Sequence, residues 1–241
     1  MDTALKVQDV AISFGNNHVL KSLTFNLRKN EVLGVIGPNG AGKTVMLDIL
    51  TGIVQPTKGK IFFQGENVTH KTVNERCRMG FGRTFQIPRP FEKMTVFENV
   101  IVGGVFGGQI GEQDGKKRAF ELIEMTGLDD KIDWFAGKLG LLDRKRLEIA
   151  RALAGHPKIL LFDEVAGGLT ESEVGNILTI VKKIKEKGIS IIWIEHVLKI
   201  MREGTDRVLL LAEGSNVICG SPDEVMQSKQ VHAVYLGADE E

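Results

Sequence analysis

The sequence predicts an α/β fold: a parallel-sheet core with antiparallel β strands at the N-terminus and an inserted helical subdomain. Three observations predict it. Short apolar runs stand at 32–36, 159–162 and 189–194, the last interrupted only by Ser190. Runs of that length, bounded by polar or turn residues, are typical of strands buried on both faces. Helical pattern precedes the second run, over 144–154, and separates it from the third, over 172–187; strands alternating with helices imply a parallel sheet. The opening stretch instead alternates apolar and polar residues, as half-buried strands do.

Taken in order, Leu5, Val7, Val10 and Ile12 sit among polar residues, and Leu23, Phe25 and Leu27 repeat the pattern. The run 32–36 is broken by a glycine-rich stretch, and 43–50 reads as a helix stopped by Gly52. Residues 87–157 contain no long strand run and much helical pattern. They are expected to form the helical subdomain, with 1–86 and 158–220 making the α/β core and 221–241 a C-terminal helical tail. The glycine-rich 102–115 reads as a mobile connection. Val208 to Leu211 and Val217 to Cys219 read as a hairpin around Glu213-Gly214-Ser215-Asn216. Asp239-Glu240-Glu241 reads as a solvated tail.

Composition narrows the class. The 241 residues carry 31 Lys+Arg against 31 Asp+Glu, with 42% apolar and 26% charged residues. These fractions suit a globular protein and argue against a disordered chain. Zero net charge argues against a nucleic-acid partner, which usually calls for a basic excess. No stretch approaches the ~20 apolar residues of a membrane span, and the opening Met1-Asp2-Thr3-Ala4-Leu5-Lys6 lacks the plan of a signal peptide. Cys77 and Cys219, with no C-x-x-C pair, read as reduced thiols of a cytosolic protein.

Gly37-Pro38-Asn39-Gly40-Ala41-Gly42-Lys43-Thr44 matches G-x-x-x-x-G-K-T, between a strand and a helix. Such a loop wraps phosphates with its N–H groups, and the following helix N-terminus favours the anion. The nucleotide site therefore covers Gly37 to Thr44 together with Val45. Lys43 would reach the β- and γ-phosphates, and Thr44 would hold Mg²⁺. This makes the core a P-loop NTPase of the RecA-like kind. Asn-Lys-x-Asp, the guanine-reading pattern, is absent; Arg76, Arg78, Arg83 and Arg89 form only a loose candidate for a kinase lid.

Ile159 to Phe162 ends in Asp163-Glu164. In a parallel sheet, ligands sit at the carboxyl ends of strands. Asp163 would bind Mg²⁺ beside the phosphate loop, and Glu164 would polarise the attacking water as general base. Ile191 to Ile194 likewise ends in Glu195-His196, and His196 could contact the γ-phosphate.

These residues, in this order, resemble the ATP-binding subunits of ABC transporters. The further elements are Arg83-Thr84-Phe85-Gln86 and Arg146-Leu147-Glu148-Ile149-Ala150-Arg151-Ala152-Leu153. Gly82 to Gln86, then Pro90-Phe91-x-x-Met94-Thr95-Val96-x-Glu98-Asn99, is similar to the ATPases of branched-chain (hydrophobic) amino-acid importers. The Glu195-His196 pair before an apolar helix and the late Tyr235-Leu236-Gly237 are similar too. The resemblance implies ATP and Mg²⁺ as cofactors, a dimer with a second ABC ATPase subunit, and a location on the inner face of the cell membrane. It implies that Gln86 contacts Mg²⁺ or water, that transmembrane permease subunits dock near 86–91, and that Phe14 stacks on adenine. Simple strand burial is the other account of Phe14.

The chain departs from the family where Leu-Ser-Gly-Gly-Gln is usual: it reads Leu139-Gly140-Leu141-Leu142-Asp143. The serine hydroxyl offered to a partner's γ-phosphate is missing. Asp143 would repel phosphate unless it caps its own helix. Val165 and Thr170 stand where Pro and Asp or Asn are usual. The parts used by the chain's own site look complete and those offered to a partner look weakened, which points to a non-identical partner ATPase. A backbone-only phosphate contact in a homodimer is the competing expectation. A soluble ABC-type ATPase unconnected with transport and a regulatory, non-hydrolysing subunit are the functional alternatives.

Overall fold

The computed structural model describes residues 2–109 and 111–236. It divides into two compact units, 1–73 with 190–241, and 74–189. The acidic tail and Gly237 lie outside the described residues.

The first unit is built on a mixed sheet. Its strands are β1 (Thr3–Phe14), β2 (Asn17–Arg28), β3 (Val32–Ile36), β4 (Lys58–Phe63) and β5 (Glu66–Asn67). Within the second unit come β6 (Phe81–Arg83) and β7 (Ile159–Asp163); the first unit then resumes with β8 (Ser190–Ile194), β9 (Arg207–Ala212) and β10 (Ser215–Gly220). The first unit orders its strands β5-β4-β1-β2-β10-β9-β3-β8. β1 pairs antiparallel with β2 and β4, whereas β3 runs parallel to both β8 and β9. β3 and β8 are buried throughout, as their apolar runs require.

The uneven step from Val7 to Val10 in the N-terminal alternation has a physical cause. The β1–β2 register shifts there, and Asp9 takes a left-handed φ of 47°. The bulge absorbs one residue and keeps Val7 and Val10 both buried. The late hairpin turns earlier than expected: Ser215 and Asn216 belong to β10, and the bend is Glu213-Gly214, both at positive φ.

The helices are α1 (Lys43–Thr51), α2 (Val73–Met79), α3 (Val96–Val102), α4 (Glu112–Thr126), α5 (Leu141–Ala154), α6 (Glu171–Glu186), α7 (Leu198–Gly204), α8 (Pro222–Met226) and α9 (Lys229–Leu236). In the second unit β6 runs parallel to β7, and α3, α4 and α5 pack on one another. β6, β7 and α6 fall in the same compact unit as these helices.

The glycine-rich stretch after α3 is regular over its first part. Gly103–Gly107 forms a π-turn continuing α3, and α4 begins at Glu112. A Cβ on Gly103 would stand 2.6 Å from the Arg151 carbonyl and 3.2 Å from the Ala154 side chain. Glycine serves close approach to α5 here rather than looseness.

Candidate functional site

The first unit presents the glycine-rich loop of residues 37–44. Gly42 is the N-cap residue of α1, with φ 98°. A Cβ there would lie 2.6 Å from the Leu20 side chain and 3.1 Å from the Val19 carbonyl. Both the left-handed backbone and the close approach therefore demand glycine. Lys43 is buried, and its ammonium donates to the Gly37 carbonyl at 2.6 Å and the Pro38 carbonyl at 3.0 Å. That arrangement stations a cation across the loop. Asn39, Gly40 and Thr44 are exposed, Val45 is half-buried, and Ala41 N donates to the Pro38 carbonyl at 3.2 Å. A Cβ on Gly40 would meet nothing within 4 Å, so the cradle is open at its tip.

β8 lies beside β3 with Val35 opposite Ile194. Parallel neighbours end at one edge, so Glu195-His196 leaves the sheet where the loop springs from it. Glu195 is buried and accepts from the Trp193 indole N–H at 3.3 Å; its second oxygen accepts from the His196 backbone N–H at 3.3 Å. His196 itself is exposed. Phe14, at the end of β1, is 51% exposed, so strand burial does not account for it.

The second unit presents the acids. β6 and β7 also end together, Arg83 opposite Leu161. Asp163 is buried, with Arg83 Nη2 at 3.3 Å from its carboxylate. Gln86 Nε2 donates to Glu164 Oε2 at 2.6 Å. Glu164 holds a left-handed φ of 50°, an uncommon backbone for a residue with a side chain and one that gathers at functional sites. Lys145 Nζ, at 3.0 Å, and the Gly167 N–H, at 3.1 Å, both donate to its carbonyl and brace that turn. The lid idea fails for two of its arginines. Arg76 is fully buried, which pushes its pKa down to about 10, and Arg83 is paired with Asp163.

At 139–143, Gly140 is the N-cap of α5, with no side-chain cap. Asp143 does not cap the helix. It stands in the first turn, where Lys131 Nζ reaches it at 2.7 Å and Arg146 Nη1 at 3.1 Å. The hydrogen bond to Asp143 leads the causes that raise the Lys131 pKa. Two cations thus compensate the acid that would have opposed a phosphate. Leu139 is buried and Leu141 exposed, while Leu142 is half-buried. Thr170 caps α6: its hydroxyl accepts from the Glu173 N–H, and the Glu173 carboxylate accepts from the Thr170 N–H at 2.8 Å.

Sequence reasoning gave no role to Lys145 or Glu148. The signal was there: each is a charged residue in the buried stripe of α5, a placement that needs a partner. Glu148 accepts from the Phe85 N–H at 2.9 Å. Its pKa is pushed up to about 7, chiefly by burial, against the Phe85 bond and the charges of Arg151, Lys145 and Arg89. A carboxyl whose folded pKa is raised binds protons more readily folded than unfolded. Its contribution is complete below pH 4.5 and is lost as pH rises through about 7. Wild type should lose about 3 kcal/mol between pH 5 and 8 that Glu148→Gln does not. Denaturant titrations at both pH values check this, and identical losses in the two chains would refute it.

Each unit carries hard oxygen donors of the sort Mg²⁺ takes: the Thr44 hydroxyl in the first, the Asp163 carboxylate and the Gln86 amide oxygen in the second. Among the described residues, no group of three or more His, Cys, Asp or Glu could hold a metal.

A family model described as ABC transporter matches residues 20–167. A probable branched-chain amino acid transport ATP-binding protein of Archaeoglobus fulgidus is 32% identical, over 98% of this chain and 96% of its own. The lipopolysaccharide export system ATP-binding protein of Haemophilus influenzae is 30% identical over 97% of both. A nucleotide-free ATP-binding cassette from an ABC transporter matches with a TM-score of 0.89 and 28% identity, over 97% of this chain and 98% of that one. A dimeric cassette in a post-hydrolysis state, bound to ADP and Pi, matches with a TM-score of 0.79 and 26% identity, over 90% and 98%.

Proposed function

Because the chain belongs to the ABC transporter family and is an ATP hydrolase of that family, we propose that it powers an importer of branched-chain or other hydrophobic amino acids. The observation that carries the reading is the run from Gln86 to Phe91. Gln86 is bonded to Glu164, and directly after it Ile87 and Phe91 are exposed apolar residues. A segment tied at one end to the hydrolytic acid and open at the other to a partner suits a coupling subunit. The permease subunits of the importer dock there. The relative that serves lipopolysaccharide export keeps the solute a matter for experiment.

In this reading the loop N–H groups from Gly37 to Val45, with Lys43, hold the phosphates, and Phe14 stacks on adenine. Thr44, Asp163 and Gln86 would hold Mg²⁺, which would neutralise phosphate charge when bound. Glu164 takes the proton of the attacking water, and His196 contacts the γ-phosphate. The chain works at the inner face of the membrane through its partners; no helix among the described residues is long and apolar enough to cross. The partner ATPase is non-identical, because 139–143 offers no serine hydroxyl and Asp143 is already engaged.

Uptake tests the reading. Cells deleted for the chain should lose energy-dependent uptake of labelled leucine or isoleucine and regain it with wild type but not with Glu164→Gln. Undiminished uptake in the deletion would overturn the importer assignment.

A further inference from the structure

We infer that Glu148 is a positioning residue for Gln86: its carboxylate fastens the Phe85 amide and so fixes where the next side chain meets Glu164. The inference rests on the hydrolytic reading above and extends it to a residue outside the phosphate and water contacts.

The geometry is a succession of anchors. Thr84 N–H donates to the Leu161 carbonyl of β7 at 3.0 Å as the chain leaves β6. Phe85 N–H donates instead to Glu148 Oε1 at 2.9 Å, and Gln86 Nε2 to Glu164 Oε2 at 2.6 Å. Glu148 thereby extends the pairing one residue beyond the strand, from a side chain only 6% exposed and rooted in α5. Phe85 and Gln86 are themselves exposed, so packing does little to place them. A buried carboxylate is costly and is kept where it has a bond to make.

Glu148 also lines a cavity of about 360 Å³ within the second unit, with Cys77, Arg83, Phe85, Arg89 and Arg151. The charged and titratable groups around it are Arg151 and Lys145 on its own helix, Arg89 and Arg83 from the segment it anchors, and Cys77 of α2. Burial raises both Glu148 and Cys77, and Glu148 is the one that titrates near neutrality. The ionised carboxylate is the stronger acceptor, so the anchor tightens as pH rises.

The test uses the full chain, ¹⁵N-labelled. The Phe85 amide proton should titrate with a midpoint near 7 in wild type and stay flat in Glu148→Gln, which keeps a neutral acceptor of the same shape. In Mg-ATP turnover, Glu148→Gln should lower kcat roughly tenfold with KM unchanged, and remove the rise in kcat near pH 7. A flat Phe85 amide in wild type, or Glu148→Gln with wild-type kcat and pH profile, overturns the assignment of Glu148. Turnover that survives Glu164→Gln overturns instead the hydrolytic reading beneath it.

Discussion

Glu164→Gln should lower ATP turnover by roughly 10²- to 10⁴-fold, the range for losing a positioned general base, and leave ATP binding intact. Gln keeps the shape of the side chain, so an oxygen still faces Gln86 Nε2. The backbone stays braced, because Lys145 and Gly167 hold the carbonyl of residue 164 rather than its side chain. Only the proton acceptor is removed. Phosphate release and fluorescent-ATP binding measure the two halves. Turnover within threefold of wild type would place the base elsewhere. The same variant tests the partner. With excess Mg-ATP, light scattering should show an ATP-bound monomer, and an ATP-dependent dimer would mean that 139–143 can clamp a phosphate and that two identical chains suffice.

Lys43→Ala should weaken ATP binding roughly 100-fold. Charge-assisted hydrogen bonds contribute about 1.5–3 kcal/mol each, and the loop loses the cation that makes them. The fold should survive. Lys43 bonds the loop carbonyls of Gly37 and Pro38, and the loop is open at Gly40. Calorimetric titration with Mg-ATP reads the loss, and an affinity within threefold of wild type would remove the loop from phosphate binding.

The parts of the fold written in local chemistry were legible. The strand at 32–36 emerges with the expected bounds, and the helix starts at Lys43 as expected and ends at Thr51, one residue beyond the expected end, because burial and a glycine-lined turn speak through consecutive residues. Helix starts were legible in principle too. Thr95-x-x-Glu98, Thr170-x-x-Glu173 and Ser221-x-x-Glu224 are all capping boxes, a pattern that fixes the first turn to the residue. What escaped was set by contacts distant in sequence. Nothing near Asp143 announces Lys131, and nothing near Phe85 announces Glu148, which is 63 residues away. The glycines after α3 misled for the same reason: their meaning lies in the backbone of α5.

The π-turn at Gly103–Gly107 bears on how this chain can change in length. A helix advances about 100° per residue, so deleting a residue within α3 would swing its apolar face out of phase with α4 and α5. A π-turn already holds one residue more than α-helical winding needs. Losing that residue returns the segment to ordinary winding and leaves α3 before it undisturbed. The end of α3 is thus a joint in the reading frame of the second unit, where the loss of one residue can be taken up by the winding, provided the close approach of Gly103 to α5 is kept.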